Sequence, residues 1–354
     1  MTEPSQRYNL RTLRQLMIAA FDTEELRALV LYDDNLSGLA AEFAPAHPIT
    51  TMVDETISWC DRRVLIPYLV QLVKEERPEK YALFEPELFI SAAQQPREEE
   101  TPGPTPEVLT ITSPIYLDLV RIPAGEFLMG SVAARDERAM ENELPPHRVH
   151  VPEFHIGLYP VTNLQYQAFV KAKGARAPWK SESGEIPPGK GNHPVAGVFW
   201  EQAVSFCAWL RAETGQIFRL PTEAEWEKAA RGTDGRIWPW GDEPPDESRC
   251  NYGGHVGETT SIGRYSPQGD SFYGCADMAG NVWEWCHSQY RPHPYRAGDG
   301  REGDSGGGVR VLRGGSYWDE PASQRCACRY GYFPDFRDDI LGFRVARGPL
   351  EGAP

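Results

Sequence analysis

The sequence contains no run of 18 apolar residues, so no membrane-spanning helix is predicted. Its first ten residues are polar and lack the apolar core of a secretory signal. Positive charge is also scarce, since 36 Lys and Arg stand against 51 Asp and Glu, which gives a net charge of -15. Such a surface repels phosphates, which argues against a nucleic-acid partner. The seven cysteines are an odd number, so we predict reduced thiols and a cytoplasmic location.

The length and the distribution of proline predict two domains. The chain has 354 residues, more than the roughly 250–300 at which a single core stops growing. Residues 91–113 are rich in Pro and Glu and lack apolar periodicity, which predicts an exposed linker. Residues 1–90 show the apolar spacing of helices, and Asp22 precedes an acidic first turn as an N-cap. We predict a small helical domain there, with Cys60 in its core and His47 as its one histidine.

The pattern changes after the linker. Short apolar runs alternate with Gly and Pro from residue 114 onward, which is typical of short strands joined by turns. Thr162 is a candidate N-cap, Gly215 a candidate helix end, and Thr222 with Glu225 has the spacing of a capping box. The predicted fold class is α+β, a helical bundle followed by a loop-rich domain at residues 114–348.

Two runs in the first domain carry a family resemblance. ELRALVLYDDNL and the later ISWCDRRVLIPYLVQLVKEERPE resemble the effector-associated, death-like helical domains of bacterial conflict and signalling proteins. The resemblance covers residues 8–90. It implies an adaptor that binds an effector or another adaptor protein, and no catalytic constellation is visible beside it.

Eight runs follow one another in the second domain. They are GEFLMGS (125–131), PVTNLQYQAF (160–169), HPVAGVFWEQAVSFCAWL (193–210), RLPTEAEWEKAARG (219–232), WPWG (238–241), MAGNVWEW (278–285), LRGGSYW (312–318) and GFRV (342–345). In this order they closely resemble the formylglycine-generating-enzyme (sulfatase-modifying factor) family. The resemblance implies a variant of the C-type lectin fold.

The family's catalytic cysteines are not at their usual place. The resemblance implies an oxidase whose two active-site cysteines bind copper(I), a metal that needs soft thiolate ligands. Residues 314–323, where the family's pair falls, contain no cysteine. Cys326 and Cys328 follow, and an extended strand would turn both to one face. We therefore expect no enzyme and no required cofactor, and the alternative is a copper- or cysteine-dependent oxidase using Cys326 and Cys328.

Of two kinds of metal site known in the family, the resemblance implies only one here. Iron-dependent sulfoxide synthases of the family draw three histidines from a helical domain, and His47 alone does not supply them. A structural calcium ion is implied by the run at residues 277–284. There the carboxylates of Asp277 and Glu284 and the backbone carbonyls of Gly280 and Val282 would offer the hard oxygen ligands that calcium prefers.

Residues 313–345 resemble a second group of proteins. Their beginning in GGS and their end in GFRV are similar to the variable region of diversity-generating-retroelement target proteins, which use the same lectin-like fold. By motif position, the varied residues would be Tyr317, Trp318, Asp319, Ser323, Tyr330, Tyr332, Phe333, Phe336, Asp338, Asp339 and Ile340. The residues that do not vary would be Arg313, Gly314, Gly315, Gly342, Phe343 and Arg344.

The function predicted from these residues is binding without catalysis. Tyr and Trp offer large contact area at low rotamer entropy, and the acidic residues among them favour basic or polar partners. We predict that the C-terminal patch binds an unknown protein or other macromolecule, and that residues 8–90 couple it to an adaptor or effector protein. Within the patch, Phe343 and Trp318 are expected to have core or shared roles.

Overall fold

The computed structural model describes residues 7–8, 10–33, 36, 39, 49–62, 65–90, 104–179, 185–303 and 308–348. The chain divides into two compact units, Met1–Gln95 and Pro96–Pro354. Each unit has a hydrophobic core of its own. Residues 91–103, most of the predicted linker, and His47 lie outside the described residues.

The N-terminal unit is helical in its described residues. Its helices are α1 (Leu10–Ala20), α2 (Thr23–Tyr32), α3 (Ile49–Arg62), α4 (Ile66–Glu76) and α5 (Pro78–Leu88). A short antiparallel pair joins β1 (Arg7–Tyr8) to β2 (Phe89–Ile90). The N-cap of α2 is confirmed, because the carboxylate of Asp22 accepts the backbone N–H of Glu25 at 2.8 Å and the reverse bond completes a capping box. Cys60 is fully buried among apolar side chains, as predicted.

The C-terminal unit combines short strands with three helices in its described residues. The helices are α6 (Asn163–Lys173), α7 (Trp200–Thr214) and α8 (Glu223–Arg231). The strands are β3 (Val108–Ile111), β4 (Leu117–Ile122), β5 (Gly125–Met129), β6 (His147–Val151), β7 (Phe154–Gly157), β8 (Phe218–Arg219), β9 (Trp283–Gln289), β10 (Arg310–Arg313), β11 (Arg329–Tyr332), β12 (Leu341–Gly342) and β13 (Ala346–Arg347). None of the helices described in either unit is long and apolar enough to cross a bilayer.

The helix ends follow the local sequence. The hydroxyl of Thr162 accepts the backbone N–H of Gln165 at the start of α6, and Thr222 with Glu225 forms the predicted capping box of α8. Helix α7 ends at Gly215, whose φ of +69° is left-handed and therefore favours glycine.

The strands form three sheets in this unit. A five-stranded sheet has the order β3-β4-β7-β13-β8, a four-stranded sheet has the order β11-β10-β9-β12, and β5 pairs with β6. One core packs α6 and α7 around residues such as Phe206 and Phe343, and a second core surrounds Trp226 of α8. The four-stranded sheet contains strands from the last three motif runs, and it supports the C-terminal segment that the sequence marks as variable.

Strand β11 lies at the edge of the four-stranded sheet. It pairs antiparallel with β10, so that Tyr330 lies opposite Leu312 and Arg329 opposite Arg313. Side chains alternate along a strand, so Tyr330 and Tyr332 lie on one face and Arg329 on the other. Arg329 is 1% exposed, whereas Tyr330 is 52% exposed. The strand therefore turns its arginine inward and its tyrosines toward solvent.

Candidate functional site

The segment that the sequence marks as variable alternates between buried and exposed stretches. Three stretches are buried and are together called the frame: residues 311–316, 324–329 and 341–346. All eleven predicted contact residues, called the contact face, lie between these stretches and are partly or fully exposed. Phe343 is fully buried, as expected, but Trp318 is 68% exposed, so the expectation of a core role for Trp318 is wrong. Its ring covers Gly254 at the surface instead.

Buried ion pairs hold the frame. Arg329 donates two hydrogen bonds to Glu223 at 2.6 and 2.8 Å, and Arg344 donates two to Glu284 at 2.6 and 2.7 Å. Arg325 likewise pairs with Glu143, and Arg313 with Glu227. All four guanidinium groups are 0% exposed. Two-pronged contacts of this kind fix both position and orientation, so the backbone that carries the contact face is held in place.

Helix α8 supplies an acidic residue at every second position. Glu223 pairs with Arg329, Glu225 with Arg219, and Glu227 with Arg313, although the whole helix is buried. The sequence pattern predicted only the capping role of Glu225. The available signal was the alternation of Glu with Ala and Trp inside the run RLPTEAEWEKAARG. Nothing in the sequence assigned the arginine partners, which lie between 6 and 106 residues away.

Aromatic rings form a continuous row along the contact face. The ring centroids of Trp283 and Tyr330 are 6.1 Å apart, and those of Tyr330 and Tyr332 are 5.3 Å apart. Tyr332 stacks on Phe336 at 4.0 Å with an interplanar angle of 12°. Offset and stacked rings at such distances stabilise each other. These four residues are called the aromatic row below, and Trp283 is its buried end.

Asp319 fixes the buried end of this row. Its Oδ2 accepts the indole N–H of Trp283 at 2.9 Å and the backbone N–H of Ser316 at 3.1 Å, and the hydroxyl of Ser316 also donates to it. Its carboxylate therefore has a structural task as well as a place on the contact face. Burial raises the pKa of Tyr332, and the charges of Tyr330 and Asp338 raise it further.

The cysteine pair does not form a joint site. Cys326 and the residue after it lie in a turn rather than in an extended strand, so the backbone geometry that would turn both thiols to one face is absent here. Cys326 is 0% exposed in the core around α8, and Cys328 is 3% exposed in the core around α7. Burial raises the pKa of each thiol to about 12. Copper(I) needs thiolates, so this pair does not fit the metal.

The predicted calcium ligands have protein partners. The guanidinium group of Arg344 donates a hydrogen bond to each carboxylate oxygen of Glu284. The carboxylate of Asp277 accepts the backbone N–H of Gly263 at 2.6 Å, and the carbonyl of Gly280 accepts the N–H of Val282 at 2.8 Å. Three of the four predicted ligand groups, those of Asp277, Gly280 and Glu284, are therefore bonded within the protein, which does not fit a calcium site. In the part of the chain that the structure describes, no group of three or more His, Cys, Asp or Glu is arranged to hold a metal.

Comparison with known proteins identifies the C-terminal unit. Residues 111–349 match the Sulfatase-modifying factor enzyme 1-like domain. The formylglycine-generating enzyme of Streptomyces coelicolor is 34% identical over 316 residues, which cover 72% of this chain and 95% of that protein. The hercynine oxygenase of Mycolicibacterium smegmatis is 33% identical over 265 residues, 64% of this chain. The chain spans 60% of the length of that oxygenase and 40% of the length of another curated relative that it matches.

A solved structure is similar to the same region. Treponema denticola variable protein 1 superposes with a TM-score of 0.52 at 26% sequence identity, over 70% of this chain and 100% of that one. The similarity extends to a protein named for its variability as well as to named enzymes. It agrees with the expected lectin-like fold.

These relatives correct one expectation. The prediction that the chain is not an enzyme is wrong, because the 34% and 33% identical relatives are named as enzymes and the family is enzymatic. Of the two functions that the sequence left open, the relatives' names support the oxidase alternative better than binding without catalysis. The chain belongs to the sulfatase-modifying factor enzyme 1-like family.

Proposed function

We propose that the C-terminal unit binds a protein or peptide ligand on its contact face. The observation that carries the proposal is the division within residues 311–346, where the frame is buried and every contact-face residue reaches the surface. Three large apolar side chains, Trp318, Tyr330 and Phe333, are 68%, 52% and 59% exposed there. Exposed aromatic residues on a fixed backbone are typical of binding surfaces, since little entropy is lost on contact.

Ligand binding should depend on these three aromatic side chains. A phage-displayed library of random peptides, selected on the purified full chain, provides the probe. We expect enriched peptides to lose at least about tenfold in affinity for the variant Trp318→Ala/Tyr330→Ala/Phe333→Ala, because hot-spot aromatics contribute roughly 2 kcal/mol or more each. The measurement is the dissociation constant by biolayer interferometry.

A matched triple variant controls for loss of exposed apolar area elsewhere in the same unit. Met140, Leu164 and Ile217 are 41%, 53% and 43% exposed, and their replacement by alanine should leave peptide affinity unchanged. Melting curves of both variants should match the parent chain. Enrichment of peptides that bind both triple variants equally would contradict the proposal, as would a selection that yields no peptide.

A second candidate function is oxidation of a ligand cysteine. Its support is the 34% identity to a formylglycine-generating enzyme across 95% of that enzyme. Binding on the contact face is compatible with it, since an oxidase must also hold its substrate. In this chain the buried and separated thiols of Cys326 and Cys328 give no reason to assign the chemistry to that pair.

A cysteine-containing peptide tests this candidate. The full chain is incubated with copper(I), oxygen and the peptide, and aldehyde formation is measured by mass spectrometry. If turnover occurs, we expect Cys326→Ala and Cys328→Ala to leave its rate within about twofold, because the two thiols are buried in different cores. Loss of turnover in either variant, with melting unchanged, would assign the pair after all. Absence of turnover in the parent chain would remove the second candidate.

The N-terminal unit completes the proposal as an adaptor. It is a compact unit distinct from the family domain, and its resemblance to effector-associated domains covers residues 8–90. Leu31 and Leu83 are 51% and 67% exposed on α2 and α5, so the unit offers apolar side chains to a partner. In this proposal, the contact face selects the ligand and the helical unit couples it to another protein.

A further inference from the structure

The contact face combines aromatic rings with negative charge. Tyr330, Tyr332 and Phe336 extend the aromatic row away from Trp283 toward solvent. Around these rings, the acidic side chains of Glu320, Asp335, Asp338 and Asp339 are exposed, and that of Asp319 is half-buried. The turn that holds Asp338 lies beside the buried end of the row, because the backbone N–H of Leu341 donates to the carbonyl of Asp338 at 2.9 Å and that of Trp283 donates to the carbonyl of Ile340 at 2.8 Å. The Asp338 carboxylate also contributes to the raised pKa of Tyr332, which agrees with this placement.

Three arginines of the same segment have partners outside this row. Arg325 and Arg329 lie within the segment but are buried in ion pairs with Glu143 and Glu223. Arg337 is exposed, and its guanidinium lies over the ring of Phe199 at 5.3 Å. Among the described residues, no cation lies over the ring of Tyr330, Tyr332 or Phe336, and Asp338 has no ion-pair partner. Within the described part of the chain, these three rings and the Asp338 carboxylate thus lack a cation.

Such a surface fits a planar cation. The face of an aromatic ring is the negative part of its quadrupole and attracts a cation within about 6 Å. A guanidinium group stacks on the ring and donates two hydrogen bonds to a carboxylate at once, whereas an ammonium group does only part of this. Phosphate groups would be repelled by the same carboxylates.

We infer that the aromatic row binds an arginine side chain of a protein ligand, with Tyr330 and Tyr332 supplying ring faces and Asp338 supplying the carboxylate. The inference rests on the proposed function and names the chemistry of its ligand. It makes the ligand a basic segment of a partner protein, not a nucleic acid.

The test compares peptides that differ only in one kind of side chain. Fluorescein-labelled peptides of sequence GSXGSXGSX carry arginine, lysine or citrulline at X, and the full chain is titrated by fluorescence anisotropy. Citrulline keeps the planar shape and removes the charge. We expect the arginine peptide to bind about tenfold more tightly than the citrulline peptide and roughly threefold more tightly than the lysine peptide. Binding of the arginine peptide should weaken as salt rises.

Variants assign the contact to the row. Tyr330→Leu keeps an apolar side chain without a ring face, and Asp338→Asn removes one charge. Together they should weaken the arginine peptide about tenfold and leave the citrulline peptide unchanged. Glu126→Gln, which removes an exposed carboxylate on β5, is the matched control and should change neither.

Several outcomes would overturn the inference. Equal binding of the citrulline and arginine peptides would do so, as would full arginine affinity in the double variant, or no binding of the arginine peptide at millimolar concentration. Library peptides that lack arginine but still require Trp318, Tyr330 and Phe333 would also remove the inference, while leaving the proposed function in place.

Discussion

Replacing Glu227 by glutamine is expected to lower the free energy of unfolding of the C-terminal unit by about 3–5 kcal/mol. Glu227 is fully buried, pairs with Arg313 and Arg231, and accepts the backbone N–H of Gly130 at 2.8 Å. Glutamine has nearly the same shape, so no cavity forms. The loss arises because Arg313 and Arg231, 0% and 5% exposed, keep their charges without a counter-charge.

The effect is measured as the urea midpoint of the transition followed by tryptophan fluorescence. Nine of the ten tryptophans lie after residue 95, so the signal reports mainly on the C-terminal unit. Glu126→Gln is the matched control, because its partner Arg148 lies 3.9 Å away and both are exposed. That change should cost less than about 1 kcal/mol. A midpoint for Glu227→Gln close to that of the control would show that the buried pair does not support the frame.

A companion variant separates charge from packing. Adding Arg313→Met to Glu227→Gln removes one of the two buried charges that are left without a partner. The double variant should therefore lose less free energy of unfolding than the two single variants lose in sum. The measurement is again the urea midpoint. Additive losses would mean that the two side chains contribute independently, contrary to the contact between them.

Replacing Gly280 by alanine is expected to cost about 2–5 kcal/mol. Gly280 has a φ of +76°, and a Cβ there would lie 2.2 Å from the backbone oxygen of Asn251. A backbone atom cannot rotate away as a side chain can. The N–H of Gly280 donates to the carbonyl of Gly314 at 2.8 Å, so the change should also disturb the frame at the start of the contact face.

Gly189 offers a control with the same backbone angle. Its φ is also +76°, but a Cβ there would meet no atom within 4 Å. Gly189→Ala should therefore cost only about 1–2 kcal/mol, the cost of a left-handed non-glycine residue. The difference between the two urea midpoints measures the steric clash alone. Equal losses at both positions would show that the loop around Asn251 yields to the added methyl group.

Both predictions concern the rigidity on which binding depends. Ordering a flexible loop during association costs free energy, and a surface that is ordered beforehand avoids that cost. The buried pairs of Arg313, Arg325, Arg329 and Arg344 occur at intervals along the segment, so that each exposed stretch begins and ends at a fixed point. The frame therefore limits the disturbance that changes on the contact face cause elsewhere.

Local features of the fold could be predicted from the sequence because they depend on neighbouring residues. Each capping box, at Asp22 and at Thr222, forms between the N-cap and the residue three positions later. The end of α7 at Gly215 needs only a residue that accepts a left-handed φ. The ordered motifs likewise identified the family of residues 111–349. Every contact-face residue is at least partly exposed, as motif position predicted, and only the core role expected for Trp318 was wrong.

The sequence by itself thus determined the helix caps, the family and the segment that reaches the surface, since each follows from local pattern or ordered motifs. Only the tertiary structure decided that Glu284 binds Arg344 rather than a calcium ion, that Cys326 and Cys328 enter different cores, and that Glu223 and Glu227 of α8 pair with distant arginines. The physical reason is that a buried charge or thiol takes its properties from whatever the fold packs against it, and those neighbours lie far away along the chain.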